Sequence, residues 1–259
     1  MTDFKEFTIT MAREAGALLK NKFHEAHTIE YKGEIDIVTE ADKMSEDLLI
    51  TKINQRYPSH AILSEETGAI KKESEYRWII DPLDGTTNYS HRYPIFCVSI
   101  ALELKGNIIL GVIYNPMSEE LFVAEKGAGS FLNGGKLSVS KTTDLSKCML
   151  ATGFPYDVRY NKNNNLNYFA AMIKNAQAVR RPGSAALDLA YVAAGCFDGF
   201  WELKLNPWDT AAGWLMVTEA GGTVTDLFGA SYRFDTPHIL ASNGLIHEDM
   251  ISIIKETRS

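Results

Sequence analysis

Apolar residues in the first quarter of the chain follow helical spacing in two segments. They recur every three or four positions over residues 4–24, which predicts a helix, at Phe4, Phe7, Met11, Ala15, Leu18, Leu19 and Phe23. Residues 27–38 lack this spacing and carry Gly33, a pattern typical of an extended arm or hairpin. A second helix is predicted over residues 40–57, before Pro58, with an inner stripe of Met44, Leu48, Leu49 and Ile53.

The next segment has the short apolar runs of β-strands. Strands are predicted at residues 61–64 and 77–81. Three longer runs separated by turn residues predict consecutive antiparallel strands over residues 96–104, 108–114 and 120–124. The glycine-rich residues 127–135 continue as strand and turn.

Helices and strands alternate from about residue 140 onward. A strand over residues 149–152 leads to an asparagine-rich loop at 160–167, which is expected to be exposed. Further helices are predicted over residues 167–175, 185–194, 209–220 and 247–256, and further strands over 199–203, 223–225 and 239–242. This order predicts a layered α/β architecture with two subdomains, residues 1–140 and 141–259, that form one integrated unit.

Composition narrows the class of protein. A chain of 259 residues, 45% of them hydrophobic and 23% charged, can bury a full core. The formal net charge of −7 gives no global attraction to nucleic acid or to an anionic membrane, so neither is an expected partner. The charged, amphipathic N-terminus is unlike a signal peptide, and no apolar run approaches the roughly 20 residues that span a bilayer. A cytoplasmic location is expected.

The cysteines suggest no special chemistry. Cys97, Cys148 and Cys196 are widely spaced, odd in number and set in apolar segments. We expect buried, reduced thiols rather than a disulfide or a zinc site.

The segment Trp-Ile-Ile-Asp-Pro-Leu-Asp-Gly-Thr-Thr-Asn at residues 78–88 carries the clearest chemistry. An apolar strand leads into Asp81, and Pro82 is expected to end the ladder because it has no N–H to donate. This proline turn lets Asp81 and Asp84 converge, although a regular strand would point them to opposite faces. Gly85 and the threonines after it can then open a helix whose free N–H groups bind an anion. Two carboxylates beside an anion site require hard cations such as Mg²⁺, although a bare Asp-Pro-x-Asp is more often a strand end and a helix cap.

The complete string resembles the metal-binding signature of the inositol monophosphatase family, Asp-Pro-[Ile/Leu]-Asp-Gly-Thr-x-Asn. Three further segments agree with that resemblance in the family's order. Ser64-Glu65-Glu66 resembles its paired glutamates, and Trp208-Asp209 with the following residues resembles its second signature. Residues 36–42 resemble its Asp-x-Val-Thr-x-x-Asp stretch, and Lys32 matches a lysine placed over the active site. Asp209 and Asp42 also fit as capping acids at helix starts, and both roles can hold together.

The resemblance implies an α-β-α-β-α sandwich, typical of the inositol monophosphatase and fructose-1,6-bisphosphatase fold, and two to three Mg²⁺ ions. The implied metal ligands are Glu65, Asp81, the backbone carbonyl of Leu83, Asp84 and Asp209. The implied reaction is direct attack of a metal-activated water on phosphorus, with phosphate bound at Gly85 and Thr86. The implied catalytic residues are Thr86, Asp42, which holds it, Glu65 and Lys32.

The resemblance leaves the substrate open. The implied contacts to the leaving alcohol are Asp84, Gly183, Ser184, Ala185 and Glu202. Inositol monophosphate is the expected substrate, but the sequence departs from the animal enzymes around Asn206-Pro207. A broad-specificity enzyme, or one acting on fructose 1,6-bisphosphate, NADP(H) or another nucleotide, is the alternative. A non-catalytic regulatory binding protein is the alternative of another class, and the family further implies lithium sensitivity and a homodimer.

Overall fold

A computed structural model of the chain describes residues 2–25, 29–31 and 37–258. The α-helices within these residues are α1 Thr2–Lys22, α2 Glu40–Arg56, α3 Thr86–Ser90, α4 Leu166–Asn175, α5 Ala185–Ala193, α6 Pro207–Glu219 and α7 His247–Arg258. The strands are β1 Ile29–Tyr31, β2 Ile37–Thr39, β3 Ala61–Ser64, β4 Gly68–Ile70, β5 Tyr76–Asp84, β6 Cys97–Leu104, β7 Asn107–Asn115, β8 Glu120–Glu125, β9 Gly129–Leu132, β10 Gly135–Lys136, β11 Met149–Thr152, β12 Ala178–Arg180, β13 Gly199–Leu203, β14 Thr223–Thr225 and β15 His238–Ser242. The predicted helices and strands are present, whereas β4 and β12 were not predicted.

The larger sheet has eight strands in the order β10-β9-β8-β7-β6-β5-β3-β4. Neighbouring strands are antiparallel except β3 and β5, which are parallel. One face is covered by α1 and α2, whose Leu19 and Leu49 share a core with Trp78. The other face packs on α6 and α5, where Ala212 and Leu189 join the same core as Ile79. Each face of this sheet therefore buries its own hydrophobic cluster.

The smaller sheet completes the sandwich with five strands in the order β12-β11-β13-β15-β14. Its inner face contributes Phe200 to the core around α5 and α6, and its outer face packs Trp201 against Met172 of α4 and Met250 of α7. The layers are thus helices, sheet, helices, sheet, helices, which confirms the predicted α-β-α-β-α fold. The subdomain division at residue 140 stays a prediction, because α5 and α6 pack on both sheets.

Half of the buried residues of α2 are polar, and the predicted apolar stripe did not include them. Met44 is 41% exposed, while Asp42, Ser45 and Glu46 are buried. These three polar residues follow the same i, i+3, i+4 spacing as an apolar stripe, and each bonds to a segment beneath the helix. The fully buried members of the predicted stripe are Leu49 and Ile53.

Residues 160–167 are exposed as predicted, apart from the half-buried Asn164 and the buried Asn165. Asn165 is 2% exposed, and its amide group donates to the Thr152 Oγ1 atom at 2.9 Å. The Trp201 indole N–H donates to the Asn165 side-chain oxygen at 2.6 Å. The expected exposure is therefore wrong for Asn165, because this side chain ties the loop to β11 and β13.

The described parts of residues 27–38 pair as antiparallel strands, β1 with β2. The cysteines are free, as predicted, but Cys196 is exposed and the expected burial is wrong there. No helix within the described part of the chain has the length and apolar character to cross a membrane.

Candidate active site

A bulge in β5 brings Asp81 and Asp84 to one face of the larger sheet. Asp81 pairs with Ser99 of β6 and Asp84 with Cys97, so three steps along β5 match two along β6. Ser99 and Cys97 are two positions apart and share a face, and therefore their partners share it too. The two carboxylates converge as predicted, but Pro82 does not end the ladder. The strand continues to Asp84 because the missing N–H falls inside the bulge.

Asp81 lies at the base of a group of carboxylates. It is 2% exposed, and its Oδ1 atom accepts the Leu83 N–H at 3.0 Å. Burial raises the pKa of Asp81 well above its usual range, and the charges of Glu65, Asp84 and Asp209 raise it further. Four acidic side chains therefore face one poorly solvated region, where like charges repel strongly.

Asp84 is fixed through one of its two oxygens. Its Oδ2 atom accepts the Ser184 hydroxyl at 2.6 Å, the Ala186 N–H at 2.7 Å and the Cys97 thiol at 3.8 Å. Burial raises the pKa of Asp84, and the Ser184 and Ala186 hydrogen bonds oppose that rise. These three donors all use Oδ2, and the Ala185 N–H is a further hydrogen-bond donor to this carboxylate.

Asp209 enters the same region from the first turn of α6. This helix begins at Pro207, two residues before the predicted start. The Asn206 N–H donates to the Asp209 Oδ2 atom at 2.6 Å, so Asp209 does act as a capping acid. Burial raises the pKa of Asp209 well above its usual range, and Asp84 contributes most to the rise among the charges. The capping geometry thus holds this carboxylate beside Asp84.

The donors around these residues suit a hard cation. Carboxylates, backbone carbonyls and hydroxyls are the oxygen ligands that Mg²⁺ prefers. Among the described residues, no three acidic, histidine or cysteine side chains stand at the mutual spacing of a filled metal site. Neighbouring carboxylate charges nevertheless raise the pKa values of Asp81 and Asp209. Bound cations would reduce the electrostatic repulsion between these carboxylates. The residues therefore fit Mg²⁺ in donor chemistry and in charge.

Asp42 connects the start of α2 to Thr86. The Thr86 hydroxyl donates to the Asp42 Oδ1 atom at 2.8 Å. The Asp42 Oδ2 atom accepts the Thr39 N–H at 2.9 Å and the Thr39 hydroxyl at 2.6 Å, which forms a capping box. Asp42 thus fills both predicted roles, as a cap and as the partner of Thr86. Lys32 and Asp36 lie outside the described residues.

Ser45 and Glu46 hold two further segments of the site, and the sequence analysis missed both. The Ser45 hydroxyl donates to the Pro82 carbonyl at 2.8 Å. Glu46 accepts the N–H groups of Glu66 at 3.1 Å and Thr67 at 3.0 Å, and also the Thr67 hydroxyl. The polar face of α2 therefore anchors the bulge and the turn that follows Glu65. The helical spacing of Asp42, Ser45 and Glu46 in the sequence could have predicted this polar face.

The opposite wall consists of the start of α5 and β13. Ser184 caps α5 and accepts the Leu187 N–H at 3.4 Å. The Glu202 carboxylate of β13 occupies the space that a Cβ atom on Gly153 would need, so a larger residue at position 153 would displace this carboxylate. Burial raises the pKa of Glu202 to about 8, although the charge of Arg181 opposes the rise. Glu202 therefore keeps a proton over much of the neutral range.

These segments surround a cavity of about 340 Å³. Most predicted site residues line it, namely Glu65, Asp84, Gly85, Thr86, Gly183, Ser184, Ala185, Glu202 and Asp209. Asp42, Asp81 and Leu83 are buried beneath this lining. Arg181, Asp188 and Lys204 also line the cavity and were not predicted. Asp188 stands four positions after Ser184, on the same helix face, which was the available signal.

The chain is similar to known proteins over almost its whole length. A profile of the inositol monophosphatase family matches residues 1–259. The chain is 42% identical to an inositol-1-monophosphatase of Mesorhizobium japonicum over 254 residues, covering 97% of this chain and 96% of that protein. It is equally identical, 42% over 254 residues, to the Nus factor SuhB of Escherichia coli, with 97% and 95% covered.

Solved structures give the same result. An inositol monophosphatase from Anabaena (Nostoc) superposes with a TM-score of 0.89 at 42% identity, covering 98% of this chain and 96% of that one. The extragenic suppressor protein SuhB of Bartonella henselae gives a TM-score of 0.91 at 41% identity, with 97% and 98% covered. The chain therefore belongs to the inositol monophosphatase family, whose members are phosphoric monoester hydrolases.

Proposed function

We propose that this protein hydrolyses a small phosphate monoester with Mg²⁺, and that inositol monophosphate is its main substrate. The observation that supports this most is the pairing of Asp81 and Asp84 on one face of the β5 bulge. Beside it, Thr86 is hydrogen-bonded to the buried Asp42. A carboxylate pair next to an ordered hydroxyl suits a site that binds cations, phosphate and water together.

The first Mg²⁺ would be held by Glu65, Asp81 and the Leu83 carbonyl, and the second by Asp81, Asp84 and Asp209. A third, weaker ion would lie near Glu65. When bound, these ions supply Lewis-acid chemistry: they offset the carboxylate and phosphate charges and lower the pKa of water.

The residues near the bulge have separate proposed tasks. Thr86, fixed by Asp42, orients the attacking water or takes its proton. The backbone N–H groups of Gly85 and Thr86 bind phosphate oxygens. Gly85 has φ 102°, and a Cβ atom there would stand 3.0 Å from the Ile95 carbonyl, so glycine is required. Because α3 has five residues, local N–H groups rather than a long helix dipole supply the attraction.

The far end of the cavity is proposed to bind the leaving alcohol through Asp84, Gly183, Ser184, Ala185 and Glu202. The Ser184 hydroxyl is engaged with Asp84, so its proposed role includes orienting that carboxylate. A cavity of about 340 Å³ accommodates a six-carbon monophosphate. Lithium sensitivity, a homodimer and a catalytic contribution of Lys32 are proposals that rest on the family resemblance alone, and a cytoplasmic location is a proposal that rests on the composition of the chain.

A substrate panel tests this proposal. Purified protein is assayed for phosphate release from inositol monophosphate, fructose 1,6-bisphosphate, NADP and an adenosine 3′,5′-bisphosphate, with Mg²⁺ and with EDTA. We expect Mg²⁺-dependent release, fastest from inositol monophosphate. Activity confined to a nucleotide would remove inositol monophosphate from the proposal, and activity that persists in EDTA would refute the metal requirement.

Glu46 offers a test of the site that leaves every proposed ligand in place. Glu46→Ala removes the anchor of the turn after Glu65, so the Mg²⁺ concentration for half-maximal activity is expected to rise about tenfold or more. Glu46→Gln, which keeps one acceptor, is expected to lie between the wild type and Glu46→Ala. Mg²⁺ titrations of both rate and melting temperature measure the effect. Glu14→Ala, which breaks an exposed ion pair between α1 and Lys52, is the control. An unchanged Mg²⁺ dependence in Glu46→Ala would contradict the anchoring role.

A regulatory role is the second candidate, because relatives at 42% identity carry the name Nus factor SuhB. Such a role would depend on the surface of the fold rather than on turnover. An Asp81→Asn variant, expected to be inactive, separates the two. If the cellular function persists in this variant, regulation is supported, and if it is lost together with turnover, hydrolysis is the function.

A further inference from the structure

Asp188 is a buried carboxyl group in the wall of the active-site cavity that the reaction described above does not use. It lies on α5, 1% exposed, and it is one of the residues that line the cavity. Its Oδ1 atom is buried without a hydrogen-bond partner among the described residues. An unpaired buried polar atom costs free energy, so the native fold is less stable for carrying it. A functional role in the site is one reason for a protein to retain such a group, and a ligand in the cavity could supply the partner.

The surroundings of Asp188 belong to the alcohol end of the cavity rather than to the phosphate end. Burial raises the pKa of Asp188 well above its usual range, the charges of Glu202 and Asp84 raise it further, and Arg181 opposes the rise. Among these charges Glu202 contributes most to the rise, and it lines the same cavity. Carboxyl groups hydrogen-bond to hydroxyl groups, so two of them that line the same cavity match neighbouring hydroxyl groups on a polyol.

We propose that Asp188 binds a hydroxyl group of the leaving alcohol together with Glu202, and so selects phosphates of polyols over phosphates of alcohols without further hydroxyls. This assignment rests on the proposed phosphatase function and deepens it by naming the substrate class. The phosphate and the proposed cations would lie at Gly85 and Asp84, whereas Asp188 would contact the part of the substrate that does not react.

Asp198 provides a matched comparison for the energetic part of the inference. It is also buried, at 7% exposure, but both of its oxygens are paired. Oδ1 accepts the Ser140 hydroxyl at 2.6 Å and Oδ2 accepts the Met149 N–H at 2.8 Å. Removal of Asp198 leaves donors unpaired, whereas removal of Asp188 removes an unpaired acceptor. The two substitutions are therefore expected to change stability in opposite directions.

The test uses Asp188→Leu, Asp188→Asn and Asp198→Leu in the full-length protein. Inositol monophosphate and phenyl phosphate, whose alcohol carries no further hydroxyl, are the two substrates. We expect Asp188→Leu to lower the ratio of kcat/KM for inositol monophosphate over phenyl phosphate at least about tenfold. Asp188→Asn, which still donates and accepts, is expected to keep most of that ratio. In the absence of substrate, Asp188→Leu is expected to melt at a higher temperature than the wild type and Asp198→Leu at a lower one.

Each other outcome has a defined meaning. An unchanged substrate ratio in Asp188→Leu overturns the assignment, whether both rates persist or both fall together. A lower melting temperature for Asp188→Leu shows that the carboxyl group is structural and also overturns it. A wild-type protein that hydrolyses neither phosphate with Mg²⁺ overturns the proposed function and this assignment with it, so the two failures are distinguishable.

Discussion

Asp81→Asn is expected to lower kcat for inositol monophosphate at saturating Mg²⁺ by about a thousandfold or more. Asp81 is the one side chain proposed to contact both principal ions, and it lies at the base of the carboxylate group, 2% exposed. Loss of its charge weakens both cation positions at once. A thousandfold loss corresponds to about 4 kcal/mol of transition-state stabilisation, within the range that metal ions supply.

The same substitution is expected to stabilise the metal-free protein. Asp81 is buried among Glu65, Asp84 and Asp209, and burial together with those charges raises its pKa. Asparagine has nearly the same shape, can still accept the Leu83 N–H through its amide oxygen, and carries no charge. Activity should therefore fall while the melting temperature in EDTA rises. Steady-state rates and calorimetry on the same preparation measure the two effects.

Glu103→Gln is a suitable control for Asp81→Asn. Glu103 lies on β6 and is 8% exposed, but it accepts the Arg77 Nε–H at 2.6 Å and lies outside the cavity. This variant is expected to lose stability and keep its turnover, the reverse of Asp81→Asn. If Asp81→Asn retained more than about a tenth of wild-type kcat, the bridging role assigned to Asp81 would be wrong.

The sequence predicts the order of elements well because apolar periodicity is a local property. The strand entering Asp81 is apolar on both faces, and both faces are indeed covered by helices. Pro82 correctly indicated an irregularity, but the outcome was a bulge within the ladder rather than its end. The difference depends on β6, because Ser99 and Cys97 supply the pairing that carries β5 onward.

The polar part of the site is less accessible from sequence because its meaning depends on distant partners. In the sequence, Ser45 and Glu46 resemble surface residues of a helix. In the structure they are buried, and they hydrogen-bond to the β5 bulge and to the turn at Thr67. Asn165 resembles part of an exposed loop in the sequence, but in the structure its side-chain oxygen accepts the Trp201 indole N–H. In each case the side chain is hydrogen-bonded to a residue far away in the sequence, and a local pattern does not identify that partner.

The stability of the metal-free protein is expected to fall as the pH rises from 7 to 8. Burial raises the pKa of Glu202 from 4.5 to about 8, so the folded protein holds a proton that the unfolded chain releases. A group with a raised folded-state pKa binds more protons in the folded state, and stability therefore falls between the two pKa values as pH increases. Glu202 alone contributes about 1 kcal/mol over this interval, or about 2–4 °C in melting temperature.

Below pH 7 the histidines change the stability of the fold in the opposite direction. Burial lowers the pKa values of His60, His238 and His247. Their contribution to stability therefore increases with pH up to their unfolded-state pKa of 6.5 and is constant above it. The raised pKa values of Asp81 and Asp209 can only add to the fall caused by Glu202.

Calorimetry in EDTA at pH 7 and pH 8 measures the fall, and Glu202→Gln isolates one contribution to it. This variant has no proton to release, so its melting temperature is expected to drop less between the two values than that of the wild type. Saturating Mg²⁺ is expected to raise the wild-type melting temperature more at pH 8 than at pH 7, because fewer protons compete for the carboxylates. A metal-free protein that became more stable toward pH 8 would show that Glu202 is ionised in the fold. The alcohol end of the cavity would then carry the negative charge of Glu202.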